Sequence, residues 1–310
     1  MDISERLNTT QEEEIEPFLD VTPELVQARR SQGRIIFDRF MSNRVAVVSA
    51  VFLILLILLC FVGPLIRPVN PDALNLSATY QAPSLAHPFG TDDVGRDELA
   101  RSIAGGQVSL LVALSSMLMA MIFGVGIGAF AGYYGGIVDN LLMRFTDIIL
   151  AVPLYLILFV LSAFLIDHSP RSVIILIAAF GWTYAARLVR GEFLALRERE
   201  YVLAARTVGA KDLRLMFRHI LPNAAGPIIV NATLLVGANI ITESVLSFFG
   251  FGIQPPTASW GNLISDGQGY FETASWLVLA PALLVFFTVL TLNLVGDGLR
   301  DALDPYMTER

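Results

Sequence analysis

The chain has 310 residues, 55% of them hydrophobic and 16% charged, against roughly 25% charged in an ordinary soluble domain. Its mean hydropathy is +0.63. The excess lies in long uncharged runs rather than in one amphipathic core, which points away from a soluble fold or a nucleic-acid binder and toward a multi-span α-helical membrane protein.

The formal net charge of −7 says little about partners. Asp2, Glu5, Glu12, Glu13, Glu14, Glu16, Asp20 and Glu24 crowd the start of the chain beside Arg6 alone. That stretch reads as a solvated, disordered tail; without a basic start and an apolar stretch it is not a signal peptide. Lipid offers backbone groups no hydrogen bonds, so spans must be helices or a closed barrel, and the runs lack the alternation of barrel strands. The gaps between charges give six spans, at 45–66, within the uncharged run 102–138, and at 148–166, 172–190, 220–242 and 273–296. Two spans and a turn need about 40 residues or more, and glycine and tyrosine crowd the end of the second run at Gly132-Tyr133-Tyr134-Gly135-Gly136. One long span at about 106–133 is therefore expected. Cys60, the single cysteine, falls inside the first span and reads as a small core residue.

Six spans put both termini on one side. Seventeen of the 21 Lys and Arg residues then share a side with the termini, and Arg67, Arg96, Arg101 and Arg171 lie opposite. Both termini are expected in the cytoplasm. The resulting division is an acidic tail and basic interfacial segment at 1–44, a first span at 45–66, an external loop at 67–105, a five-helix unit at 106–296 with a basic cytoplasmic segment at 191–219, and a C-tail at 297–310.

Along the second span Ser116, Ala120, Gly124, Gly128 and Gly132 recur every four residues. Such a stripe admits another helix at close range, either within this chain or across a seam with a second subunit. Prolines at 153, 222, 227 and 281 can kink their spans. Before the second span, His87, Asp92, Asp93 and Asp97 bring metal-binding residue types together. Gly90 and Gly95 as turns, Asp97 as a helix cap and Arg96 as a carboxylate partner explain them without a metal. In the loop at 255–260 the prolines stiffen the chain and Trp260 suits a membrane interface.

Eight basic residues fall between Arg187 and Arg218. In Tyr201–Arg218 good helix formers flank Gly209, Ala204 and Ala205 allow close approach, and Arg206, Lys211, Arg214 and Arg218 carry charge. Residue types alone leave open a partner interface or a basic helix on anionic lipid. In the fifth span Asn231, Asn239 and Thr242 share one side, with Glu243 just past its outer end. They can line a wet path or tie helices together. No G-x-x-x-x-G-K-[ST] phosphate loop is present, and the one lysine, Lys211, lies in the basic segment. ATP hydrolysis therefore needs another subunit. The expected span interiors carry no ionisable residue, which counts against a proton or sodium carrier.

Four ordered stretches add a resemblance. Ala204-Ala205, Gly209 and Leu221-Pro222 resemble the EAA loop of ABC-importer permeases. HPFGTDDVGRD at 87–97, SFFGFGIQPPTASWG at 247–261 and GDGLRDALDP at 296–305 resemble hallmarks of the C-type permease of oligopeptide, dipeptide and nickel importers. Two positions depart from the loop pattern. Leu203 stands where a glutamate is expected and His219 where an isoleucine is, which leaves Glu200, one turn earlier, for the ion pair assigned to that glutamate.

The resemblance implies an all-α type I importer permease (MetI-like) in a prokaryotic inner membrane. It implies a B-type permease partner, two ABC ATPases that bind ATP and Mg, and an extracytoplasmic binding protein, with no catalytic residue, metal or cofactor in this chain. Ala204, Ala205, Arg206, Gly209, Ala210, Lys211, Leu213 and Arg214 would dock on the ATPase, and Asn231, Asn239, Thr242 and Glu243 would line the path. The implied cargo is a di- or oligopeptide, with nickel or glutathione as alternatives. An ion-coupled carrier and a scaffold without transport are the competing classes.

Overall fold

The computed structural model describes residues 32–165 and 167–304. The acidic tail, Ile166 and the chain from Pro305 lie outside the described residues. The described residues are helical and loop-connected, with no strand among them beyond one isolated bridge between Thr91 and Asp97.

Helix α1 (Gln32–Ser42) lies against the chain's last helix, and α2 (Arg44–Ile66) follows after Asn43, whose side chain accepts the Ala46 N–H at 3.1 Å. Helix α3 (Glu98–Tyr134) is one unbroken element of 37 residues. At 1.5 Å per residue it is about 55 Å long, so it crosses a bilayer and projects beyond it. Asp97 caps its start by accepting the Ala100 N–H at 2.9 Å, and Gly135, at φ +66°, ends it. Then come α4 (Gly136–Leu150), α5 (Leu154–Ala163) and α6 (Pro170–Leu196). A short elbow follows, built of α7 (Glu200–Thr207), α8 (Asp212–Arg214) and a π turn at Leu215–Ile220. Helices α9 (Ala225–Phe248), α10 (Trp260–Gly267) and α11 (Trp276–Leu303) complete the fold.

Five helices, α2, α3, α6, α9 and α11, are each long and apolar enough to cross a membrane, and α4 with α5 makes a sixth crossing if that bent pair counts as one. The expected third span at 148–166 is corrected here. Ala151, Val152 and Pro153 separate α4 from α5, and the two axes meet at 78°. Pro153 has no N–H to extend α4, and α4 is instead held against α6 by Asp139 with Arg190 and Asp147 with Arg187. The fifth span starts at Ala225 rather than 220, and the sixth runs on to Leu303.

The small-residue stripe of α3 packs inside the chain. A Cβ on Gly132 would stand 2.6 Å from Arg190 O and Phe193 Cβ, and one on Gly124 would stand 2.6 Å from Ala185 Cβ. Missing side chains on α3 thus let the α6 backbone approach, which maximises van der Waals contact where hydrophobic drive is absent. The α2 helix leans on α10 and α11 through Leu56, Cys60, Trp260 and Leu292. Trp260 is buried and donates to Ser102 O at 3.0 Å, so it is a core side chain and not an interfacial anchor.

Two ends of the bundle follow. One gathers Ala46 against Gly298, Gly226 near Leu303, and the elbow against the end of α3. The other gathers Arg67 beside Asp97, Trp276 beneath Thr91, and Ser162 of α5 against Phe251 O.

Candidate coupling elbow

Within the elbow, Gly209 takes φ +84°, a left-handed conformation that costs a residue with a Cβ about 1–2 kcal/mol. It turns the chain back between α7 and α8. Val202, Leu215, Met216 and Ile220 are fully buried and form one cluster with Ala129 and Tyr133 of α3 and Val189 and Phe193 of α6. Each such side chain contributes about 1.5–3 kcal/mol when taken out of water. Several together outweigh any single polar tie, so the elbow is anchored by apolar packing on the ends of α3 and α6.

Polar contacts then set its angle. The Tyr133 hydroxyl donates to Asp212 Oδ1 at 2.7 Å, and the Arg206 guanidinium carbon lies 5.9 Å from the centre of the same ring. One aromatic residue therefore touches both arms across the Gly209 turn. Arg197 Nη1 donates to Gly132 O at 3.0 Å, closing the end of α3.

The predicted coupling residues divide in two. Ala204, Arg206, Gly209, Lys211, Leu213 and Arg214 are exposed, whereas Ala205 and Ala210 are half-buried and lean on the apolar cluster. Glu200 is exposed in the first turn of α7 and makes no ion pair among the described residues. Two residues not singled out from the sequence are Val208, which is 85% exposed at the tip of the turn, and Phe217, which is also exposed. An apolar residue next to a left-handed glycine in a charged segment was the available signal. Tyr133 had none, because its tyrosine-glycine context reads as a terminus.

The four polar residues of α9 also separate. Asn231 is half-buried on the same stripe as the exposed Leu234, Ala238 and Ile241. Asn239 is buried and donates to Ser116 Oγ at 2.9 Å on α3, and Thr242 donates to Ala238 O at 2.9 Å in its own helix. Glu243 lies inside α9, not past its end. It accepts from Ser109 Oγ at 2.8 Å and Ser247 Oγ at 2.7 Å, beside the capping box that starts α10.

At the opposite end, Asp97 accepts from Arg67 Nη2 and His87 Nδ1, each at 2.9 Å. Burial works to raise its carboxyl, but the hydrogen bonds from His87, the Ala100 N–H and Arg67 outweigh it and hold Asp97 below its ordinary value. Asp92 accepts from Arg96 Nε at 2.5 Å, and Gly90 and Gly95 take φ +74° and +75°. Caps, turns and ion pairs thus account for the 87–97 stretch, and among the described residues no group of three or more metal-ligating side chains comes together.

Comparison with known proteins agrees with this architecture. The family described as binding-protein-dependent transport system inner membrane component matches residues 124–309, and the N-terminal TM domain of oligopeptide transport permease C matches residues 31–83. The oligopeptide transport system permease protein OppC of Bacillus subtilis is 40% identical over 86% of this chain and 87% of its own length. The dipeptide transport system permease protein DppC of Alkalihalophilus pseudofirmus is 40% identical over 89% and 91%. A solved inward-facing structure of the MetNI methionine ABC transporter shares the fold, with TM-score 0.51 and 18% identity over 64% of this chain and 94% of that one. The chain therefore belongs to the family of binding-protein-dependent transport system inner membrane components, as a C-type permease subunit.

Proposed function

We propose that this subunit forms half of the translocation pathway of an ATP-driven importer for di- or oligopeptides in a prokaryotic inner membrane, with a B-type permease as the other half. Two separate ATPases bind ATP and Mg and dock on the elbow from the cytoplasm. The peptide cargo is taken over from the relatives, whose names specify oligopeptide and dipeptide transport.

The observation that carries the reading is the elbow. It leaves Arg206, Val208, Lys211, Leu213 and Phe217 exposed, and buries Val202, Leu215, Met216 and Ile220 against α3 and α6. Exposed apolar and cationic side chains on one short elbow suit a groove with an acidic rim better than open water. A push on that tip reaches two long helices without passing through a flexible linker. Rigid motion of α3 and α6 would then alternate access to a path along the open stripe of α9. Of the four polar residues of α9, Asn231 is the one assigned to that path; Asn239 and Glu243 are assigned to holding helices together, and Thr242 bonds within its own helix.

The test is replacement of Gly209 by a bulky residue, with ATPase co-purification and ATP-driven peptide uptake as readouts. Uptake at the wild-type rate would remove the coupling assignment. Gradient-driven uptake by the purified chain without ATP would replace it with a secondary carrier.

A further inference from the structure

The end of the bundle away from the elbow holds a second polar site. A cavity of about 330 Å³ opens between the 92–96 loop, the first turn of α3, α10 and the start of α11. Asp93, Glu98, Arg101 and Asp266 line it, together with Asp92 and Arg96. Arg96 Nε contacts Asp92 at 2.5 Å and its Nη2 stands 3.9 Å from Asp93. Four carboxyls thus share two guanidiniums.

The pairing inside is incomplete. Glu98 is 2% exposed, and its Oε1 has no hydrogen-bond partner among the described residues. Arg101 is 3% exposed; its Nη1 and Nη2 stand 3.6 Å from Asp92 and 3.7 Å from Asp266, and its Nε and Nη1 have no hydrogen-bond partner there either. At the mouth, Asp93 and Asp266 are 44% and 51% exposed. Burial raises the Asp266 carboxyl above its ordinary value, with Arg101 opposing.

A buried acid without a donor is costly, and a charged donor removes that cost more fully than a neutral one. An anion would meet four carboxyls against two guanidiniums. An apolar group would leave Glu98 and Arg101 as they are. Too few ligands converge for a metal ion. A guanidinium or ammonium group on a stem gives Glu98 its missing donor at depth and meets Asp93 and Asp266 at the mouth, while the Arg101 Nε and Nη1 donors gain no acceptor from it. The lining contains no residue of α9, so the pocket stands apart from the open stripe assigned to cargo.

We propose that this pocket receives a lysine or arginine side chain of the extracytoplasmic binding protein, drawn in by Asp93 and Asp266 and met at depth by Glu98. The proposal rests on the reading above that this end faces outward and that a binding protein delivers the cargo.

The test uses the whole complex, both permeases and both ATPases, in nanodiscs, titrated with its binding protein. Glu98→Gln and Asp266→Asn should each weaken binding about tenfold or more, since truncating one partner of a desolvated charge pair acts chiefly on the off-rate. Both should flatten its salt dependence. A single Lys→Glu or Arg→Glu substitution on the binding protein should restore affinity to Asp266→Lys. Monodispersity and melting temperature report folding; if Glu98→Gln misfolds, the half-exposed Asp266→Asn still decides. Unchanged affinity in a folded Asp266→Asn complex overturns the proposal. So does a defect confined to cargo with a free amino terminus, which would assign the pocket to the peptide instead. An Asp93→Cys variant labelled by an impermeant maleimide from outside, with unchanged affinity, overturns this inference alone. Labelling only from the cytoplasmic side overturns the topology of the proposed function as well.

Discussion

The Tyr133 hydroxyl donates to Asp212 Oδ1 at 2.7 Å, joining the penultimate residue of α3 to the first residue of α8. With Arg206 against the same ring, Tyr133 holds both arms of the elbow at a fixed angle to the longest helix of the bundle. The apolar cluster supplies the anchoring energy, and this bond, worth about 0.5–1.5 kcal/mol net, supplies direction. Tyr133→Phe keeps the ring and its packing and removes only the donor. The expected outcome is normal ATPase assembly with a several-fold fall in peptide moved per ATP hydrolysed, measured in proteoliposomes. An unchanged ratio would mean the bond transmits nothing.

Gly209 makes no contact that a Cβ would violate; its constraint is the φ of +84°. Substitutions should therefore rank by tolerance of left-handed backbone and not by volume. Asn, which visits that region, should retain most uptake, whereas Val should lose most of it, at a conformational cost of about 1–2 kcal/mol or more. Uptake assays on the Asn and Val variants side by side check this; equal activity removes the backbone argument.

How far the sequence carried varies with the physics involved. The single α3 span was legible because an uncharged run of 102–138 is too short for two crossings and ends in glycines. Its packing against α6 was legible as one of two options, since a four-residue spacing of small side chains fixes which face approaches but not which helix. The break at 151–153 was legible only as a kink that Pro153 permits: hydropathy stays high across it, and the Asp139–Arg190 and Asp147–Arg187 pairs and the Phe145–Trp182 stack that place α4 appear only in the fold. Glu243 was placed outside its span because a charge was taken as a boundary. Two serine donors, one of them 134 residues away in the chain, remove that boundary. Tyr133 and Asp212, 79 residues apart, meet only through the fold.

At Gly128 a Cβ would meet Ala186 O, Val189 Cβ at 2.8 Å and Arg190 N at 3.0 Å. Two of the three are backbone, which cannot rotate away. Gly128→Leu should force α3 from α6 and destabilise the subunit by about 1–3 kcal/mol or more. Gly126→Leu, on a side with nothing within 4 Å, should be tolerated. Melting temperature and detergent-solubilised yield of the pair decide; equal loss in both would place α6 elsewhere.

Asp97 predicts a pH response of the 67–97 loop. Its folded-state carboxyl lies below the ordinary value of about 3.9, so its contribution is fully present above that value and is lost as pH falls through the folded one. Protonation would release Arg67 and His87 together. Proteolysis within the 67–97 loop should rise only as pH falls below the ordinary carboxylate range, and Asp97→Asn should show the same susceptibility already at pH 7. An Asp97→Asn loop as resistant as wild type at pH 7 would remove Asp97 as its lock.

Glu243 is the one carboxylate that α9 carries within the bundle, and the direction of its hydrogen bonds makes a specific forecast. Ser109 and Ser247 both donate to it, while Ser109 Oγ also accepts the Trp260 N–H at 3.2 Å. Through Ser109 the carboxylate thus holds the start of α10 against α3. A glutamine offers one acceptor oxygen and two N–H donors, so one serine must turn away. Glu243→Gln should cost about 1–3 kcal/mol, the penalty for leaving a buried group unmatched. Glu243→Leu removes both acceptor oxygens and strands both serine hydroxyls. Pairing it with Ser109→Ala and Ser247→Ala removes those hydroxyls but takes the acceptors from the Trp260 and Ile253 N–H groups, so only part of the loss should be recovered. Thermal denaturation of the single, double and triple variants measures the coupling. Strict additivity would mean that Glu243 and its serines do not act as one unit.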